Sequence, residues 1–488
     1  MSDRLDKKIK ERYTKYVLPS IKEARYRKNS ETKYYDYQIS EEAKTIGQGK
    51  KYLLKTYGCQ GNLADSEKLA GILEAMGYTV TDNDELADII IFNTCAIREN
   101  AEMRVFGELG RIKGLKKKNP NLILGICGCM TQEEVTTETL RKKFPHVDLI
   151  FGTHNIAMLA EYIVDIAKTN YEKGVVEVFS VEGDIYEGLP QVRDHKYRAW
   201  VNIMYGCDEF CTYCIVPYTR GKERSRKPAD IIKEVEKLAS EGYVEVTLLG
   251  QNVNAYGKDL EGYNYTFANL LKDLQKTSIK RIRFTTSHPR DLDDETIEVM
   301  ASGGNIMPSL HLPVQSGSNQ ILKKMNRKYT KEEYLDKIQK LKTLIPGISI
   351  TTDIIVAFPG ETEEDFLETV DLVNKVEFEG AYTFIYSPRE GTPAAKYENL
   401  LTPQMKKQRL LTLNKTINSY FLKGNKRFES QVLEVLVEGP SKNNDQMLCG
   451  YSPHNKLVNF EGPIELVGQI VKVKIIKAYT WHLLGELC

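Results

Sequence analysis

The 488-residue chain reads as an α/β protein in three parts: a doubly wound parallel-sheet domain at the N-terminus, a partial (β/α)6 barrel, and a small all-β barrel at the C-terminus. Three observations predict this. At ~150 residues per domain the length suits three domains. From residue 51 to about 425, short β-rich runs alternate with stretches of helical period, the signature of parallel sheets covered by helices. After about 426 the helical period stops, and short alternating runs separated by Gly-Pro turns take over. A composition of 41% hydrophobic and 28% charged residues excludes disordered and fibrous classes. Lys+Arg 68 against Asp+Glu 67 excludes a global basic field, so any nucleic-acid contact must be local. The apolar runs fall far short of the ~18 residues of a membrane span, and the opening residues lack the apolar core of a signal peptide. These features predict a cytoplasmic protein with no membrane partner.

Over 49–168, strands are expected at Lys51 to Tyr57, Asp88 to Asn93, Leu122 to Ile126 and Asp148 to Gly152, with helices at about 64–76, 99–118 and 132–143. Over 193–425, six strands are expected: Ala199 to Met204, Val244 to Leu249, Arg281 to Thr285, Ser309 to Pro313, Ile348 to Val356 and Ala381 to Tyr386. Helices lie between them, such as Ala229 to Glu241 with Ile231, Ile232, Val235 and Leu238 at helical spacing, and Lys331 to Leu344. Over 426–488, the runs Phe428 to Glu438, Asn443 to Tyr451, Lys456 to Phe460 and Gly468 to Ala478 suit a five-stranded barrel.

The nine cysteines carry the chemistry. Cys207, Cys211 and Cys214 fall within eight positions in a C-x3-C-x2-C spacing, after the first barrel strand. Structural zinc asks for four ligands, and the nearest downstream histidine is His288. Three thiolates instead suit a four-iron cluster with one open iron, although zinc with a distant fourth ligand stays open on spacing alone. Cys59, Cys95 and Cys129 each follow a strand of the first domain. Carboxyl ends of parallel strands share one edge, so three distant cysteines can converge there. Cys127 lies two residues before Cys129 and by strand alternation faces the other way. Cys449 and Cys488 have no assigned role, and seven scattered histidines give no sign of a catalytic triad.

The Cys207-Cys211-Cys214 motif, with Tyr213 before its last cysteine, resembles that of the radical S-adenosylmethionine (SAM) enzymes. The resemblance implies that the central barrel is a radical SAM barrel whose open iron chelates the methionine end of SAM. It also implies cofactor contacts from Tyr213, Gln251, Gln315, Arg327 and Asp353. Tyr57-Gly58-Cys59-Gln60, Asn93-Thr94-Cys95 and Gly128-Cys129-Met130-Thr131-Gln132 are similar to the N-terminal domain of methylthiotransferases. In that family the second cluster takes part in sulfur delivery, so two [4Fe-4S] clusters are implied. Residues 426–488 resemble the TRAM domain of tRNA-modifying enzymes. Their seven Lys/Arg and seven Asp/Glu leave a mere barrel-capping role open. Residues 1–48, with 12 Lys/Arg against 8 Asp/Glu, resemble a helical extension found in some relatives.

Val201 to Arg226 and Thr247 to Tyr256 are most similar to the methylthiotransferases that act on N6-isopentenyladenosine at tRNA position 37, beside the anticodon. That resemblance implies transfer of a methylthio group to carbon 2 of the adenine, with one SAM giving the methyl group and another the radical. The same chemistry on threonylcarbamoyladenosine or on a ribosomal-protein aspartate stays open. Gln60, where the ribosomal-protein group tends to have Pro, leans against the latter. A non-catalytic, metal-dependent tRNA-binding protein is the remaining rival. A splayed anticodon-loop base is the accessible target. Arg220, Lys222, Arg224 and Arg226, at alternate positions past the cluster loop, are expected to meet phosphates of the anticodon stem-loop. The stretch Arg111 to Lys118 is expected to be a solvated helix face. An electron donor of flavodoxin or ferredoxin type and a monomeric state complete the expectation.

Overall fold

The computed structural model describes residues 10–25, 31–96, 99–181, 183–262, 264–442 and 444–488. Its contacts divide the chain into two compact units. One is Met1–Asp194 with Tyr205–Asp208 and Ile215–Arg224; the other is His195–Met204, Glu209–Cys214 and Ser225–Cys488.

The first unit is built on a seven-stranded, all-parallel sheet. Its order is Tyr13–Val17, Gly174–Glu177, Leu149–Phe151, Ile123–Gly128, Ile89–Thr94, Lys51–Tyr57, Thr79–Val80. Ile89–Thr94 and Ile123–Gly128 are buried throughout, as central parallel strands must be when both faces are covered. Alternation then divides the core: Ile89 and Ile91 pack with Leu69, Ile72 and Ile163, whereas Ile90 and Phe92 pack with Val105, Leu109 and Ile112. The doubly wound expectation is met. Lys51–Tyr57 lies between Thr79–Val80 on one side and Ile89–Thr94 on the other, so the winding direction reverses there and opens a crevice at the strands' carboxyl ends.

Two features differ from expectation. The N-terminal extension is not mainly helical where it is described: it supplies strand Tyr13–Val17, paired with Gly174–Glu177, one short helix Ile21–Arg25, and strand Tyr34–Asp36, paired with Ile185–Glu187. Tyr13, Thr14, Tyr16 and Val17 are aromatic or β-branched residues, which suit an edge strand better than a helix. Residues 1–9 and 26–30 of that expectation lie outside the described residues. The sheet also runs past residue 168, because Gly174–Glu177 completes it.

The second unit carries the six expected barrel strands as two three-stranded parallel sheets. These are Arg198–Asn202, Glu245–Leu249, Arg281–Thr285 and Ser309–His311, Ser349–Val356, Gly380–Ile385, linked by a bridge from Ile282 to Ile306. Helices cover the outer face. Capping boxes at Thr266/Asn269, Thr330/Glu333 and Thr362/Asp365 start three of them by satisfying free backbone N–H groups. The C-terminal residues form a closed five-stranded barrel. It is pinned to the starts of the central strands. Arg281 donates to the carbonyls of Tyr451 (2.8 Å) and Glu434 (3.0 Å), and Arg283 to those of Ser452 (2.8 Å) and Pro453 (2.9 Å). Among the described residues, no helix is long and apolar enough to cross a membrane.

Candidate functional site

In the first unit, Cys59, Cys95 and Cys129 gather at the carboxyl edge of the sheet, in the crevice made by the reversal of winding. Cys59 caps the helix Gln60–Ala75 from its N-terminus, where the helix dipole favours a thiolate. Its thiol is lowered to about 5, because the Cys95 thiol donates to it and the Arg220 guanidinium faces it, together outweighing burial. A polar knot fixes the two approaching chain ends: Asn62 Nδ2 donates to Asn93 Oδ1 (3.0 Å), and Asn93 Nδ2 to the Asn62 carbonyl (2.9 Å). Cys129 follows Gly128, whose φ of +101° favours glycine; an added Cβ would also stand 2.3 Å from the Thr94 carbonyl. The Cys129 thiol is raised by burial, against the pull of Arg220. Cys127 is fully buried in the apolar core on one face of the sheet, its thiol pushed well up by burial.

Arg220 is the residue that the sequence misassigned. It is 6% exposed, its Nε donates to Cys129 Sγ at 3.2 Å, and its Nη2 pairs with Asp65 at 2.7 Å. Ile215 and Tyr218, from the same segment, pack on Cys129 and Ala96. Gly61 borders this space: a Cβ there would point at Cys59 Sγ (3.5 Å) and Arg220 Nη2 (3.7 Å). Thiols, a buried cation and a side-chain-free border fit an anionic cluster held by three thiolates.

The expected phosphate-contacting row is turned inward. Arg224 and Arg226 are 6% and 7% exposed. Arg224 donates to the carbonyls of Gly183 and Arg220 and lies over the Tyr205 ring; Arg226 donates to the Asn202 carbonyl and to Glu234, each at 2.7 Å. Lys222 is half-buried and engaged within the protein. A guanidinium with five donors satisfies buried carbonyls and carboxylates well, and alternation in sequence cannot reveal that use. Arg111 and Lys116 of the other basic stretch are ion-paired, to Glu108 and Asp148.

Cys207 belongs to the first unit, where its backbone N–H donates to the Gly221 carbonyl (3.1 Å); Cys211 and Cys214 belong to the second. Arg327, 8% exposed, donates through Nη1 to Cys211 Sγ (3.5 Å), through Nη2 to the Pro313 carbonyl (2.9 Å) and through Nε to the Tyr329 hydroxyl (3.0 Å). Tyr213 is half-buried beside Arg327 and Cys211, its phenol raised well up by desolvation. Gln315 holds a left-handed backbone (φ +69°) while its amide and carbonyl bond Asp353 and Ile355, both at 2.9 Å. Asp353 and Gln251 are half-buried, at or beyond the carboxyl halves of their strands.

One group escaped the sequence reading, in which His288 figured only as the nearest downstream histidine. Glu209, inside the cysteine loop, converges with His288 and Asp291, their ligand atoms within 4.8 Å of one another. Arg290 pairs with both carboxylates and Lys258 with Asp291 (2.6 Å), so two cations already balance two anions. The group is an ion cluster that fixes the loop from within the second unit.

Residues 51–152 match the uncharacterized protein family UPF0004, 201–373 the radical SAM superfamily, and 426–488 the TRAM domain. The chain is 57% identical over 488 residues to the tRNA-2-methylthio-N(6)-dimethylallyladenosine synthase of Bacillus licheniformis, covering 99% of this chain and 96% of that protein. It is 56% identical to the enzyme of the same name from Bacillus subtilis, with the same coverage. Among solved structures, the radical S-adenosylmethionine methyltransferase TsrM from Kitasatospora setae is similar in fold, at TM-score 0.52 and 16% identity, covering 71% of this chain and 75% of that one.

Proposed function

The chain belongs to the family of tRNA-2-methylthio-N(6)-dimethylallyladenosine synthases, and from that premise we infer how its two cysteine sites divide the work. It is a radical SAM tRNA methylthiotransferase: it uses SAM and a [4Fe-4S] cluster to convert N6-isopentenyladenosine at tRNA position 37 to its 2-methylthio derivative. In our reading Cys207, Cys211 and Cys214 hold the cluster that serves SAM, and Cys59, Cys95 and Cys129 hold a second. Bound there, the clusters supply the electron for SAM cleavage and a site from which sulfur is delivered.

The chain's own residues prepare both places. Arg327 fixes the Cys211 sulfur and brings a buried positive charge beside it, which would favour an anionic group of bound SAM. Tyr213, Gln251, Gln315 and Asp353 complete the cofactor contacts in this reading, with the Gln315 turn held by the strand beside it. Arg220 and the helix N-terminus at Cys59 stabilise thiolate charge at the other site and keep water out with Ile215 and Tyr218. The reading adds an external one-electron donor of flavodoxin or ferredoxin type, a monomeric enzyme and a cytoplasmic location.

The observation that carries the two-cluster reading is the convergence of three thiols from three separate strand ends around Arg220. Mass spectrometry of tRNA nucleosides tests the function: cells lacking the gene should accumulate isopentenyladenosine without methylthio, and an unchanged profile would sink it. Reconstituted enzyme should hold about eight irons, and about four would remove the second cluster.

A further inference from the structure

The inner wall of the central barrel carries aromatic surface that the cysteine sites do not use. On Ser349–Val356, Thr352, Ile354 and Val356 are buried against the helices, so the half-buried Thr351, Asp353 and Ile355 face the lumen. Strand register then sets the direction of the last strand: Tyr382 stands opposite Asp353 and Phe384 opposite Ile355. Both aromatics share that lumen face, yet Tyr382 is 64% and Phe384 50% exposed. His311, on the neighbouring strand, bonds Thr351 Oγ1 (2.9 Å), approaches Asp353 Oδ1 (3.5 Å), and presents its ring edge-on to Tyr382 at 6.2 Å.

Two large rings left open to water inside a barrel ask for an occupant. Phosphate is excluded by chemistry, because the wall is aromatic and aliphatic with a carboxylate beside it. A flat, apolar group carrying a hydrogen-bonding edge fits instead: rings take the face, and His311 takes the edge. Splayed RNA bases are received on aromatic side chains in this way.

Resting on the function proposed above, we propose that Tyr382 and Phe384 form the platform that receives the prenylated adenine and set the enzyme's preference for it. Ile355 and Phe384 accept the branched five-carbon tail, and Tyr382 takes the ring face. Asp353, expected among the SAM contacts, stands opposite Tyr382, which puts the platform next to the cofactor.

The test uses the reconstituted full-length enzyme and two anticodon stem-loop RNAs that differ only in the prenyl group. Binding is read by fluorescence anisotropy. The unaltered enzyme should bind the prenylated RNA more tightly; Tyr382→Ala should weaken that binding about tenfold, the loss of one stacking contact, and Phe384→Ala should weaken the binding of the prenylated RNA more than that of the other. The double variant should bind both RNAs alike, while Tyr382→Phe should restore the preference. A double variant that keeps the full preference overturns the platform. An unaltered enzyme that binds both RNAs equally and leaves the prenylated one unmodified overturns instead the substrate reading on which it rests. Both side chains are at least half exposed, so their removal leaves the core intact.

Discussion

Each cysteine site has one buried arginine donating to one of its sulfurs, and the two arginines differ in what neutralises them. Arg220 pairs with Asp65, which is itself 2% exposed. Arg327 meets a hydroxyl, a carbonyl and a sulfur; among the described residues none of its hydrogen-bond or ion-pair partners is a carboxylate. Burial works against both charges, yet both guanidinium groups are held protonated, Arg220 by Asp65 and thiolates, Arg327 by Tyr329, Tyr213 and Cys211. The first site therefore settles much of its charge with the protein's own groups and suits a resident cluster. The second leaves the Arg327 charge to a hydroxyl, a carbonyl and a sulfur, so an anion bound beside it would be stabilised.

The comparison breaks most sharply at the ligands. Cys211→Ala should abolish 5′-deoxyadenosine formation, whereas Cys129→Ala should retain it and lose only the methylthio product; loss of both activities in Cys129→Ala would contradict separate roles. Asp65→Asn leaves Arg220 buried without its counter-charge and should destabilise the protein by about 3–5 kcal/mol in chemical denaturation. Adding Arg220→Met to that variant should recover most of the loss, and strict additivity of the two changes would remove the pairing from the account. Arg327→Met should slow SAM cleavage about 10²–10³-fold, the usual cost of removing one charge-stabilising donor, and near-normal cleavage would leave that arginine without its assigned task.

The smallest effect concerns pH. His288 is lowered to about 2 by burial and then by the charge of Arg327. Below the ordinary value of 6.5 the unfolded chain takes up a proton that the folded protein refuses, so this residue's contribution to stability falls as pH drops from about 7 towards 2. His288→Gln should flatten the dependence of unfolding free energy on pH between 7 and 5, and an unchanged slope would remove His288 as its source.

The sequence made both cysteine triads readable because each depends on local rules, the end of a strand or the spacing within a loop. Cys127 was separable from Cys129 for the same reason, since alternation alone put it on the apolar face. Arg220 was not, because its partners Asp65 and Cys129 lie 155 and 91 positions away, and a basic run looks the same whether it faces water or a buried carboxylate. The edge strand Tyr13–Val17 was missed on similar grounds, its register being set by Gly174–Glu177 and not by its neighbours. Tyr382 and Phe384 read as an ordinary strand, and only the register against Asp353 and Ile355 shows that they face inward.

The segment Ile215–Arg224 folds with the first unit although it follows the opening strand of the second. During synthesis Cys129 leaves the ribosome 91 residues before Arg220, roughly 5–18 s at ordinary translation rates of ~5–20 residues per second. For that interval three thiols stand at an open sheet edge without their cation or the apolar cover of Ile215 and Tyr218. The edge that gathers the three thiols thus gains its cation and its apolar cover only after the opening strand of the second unit has been made.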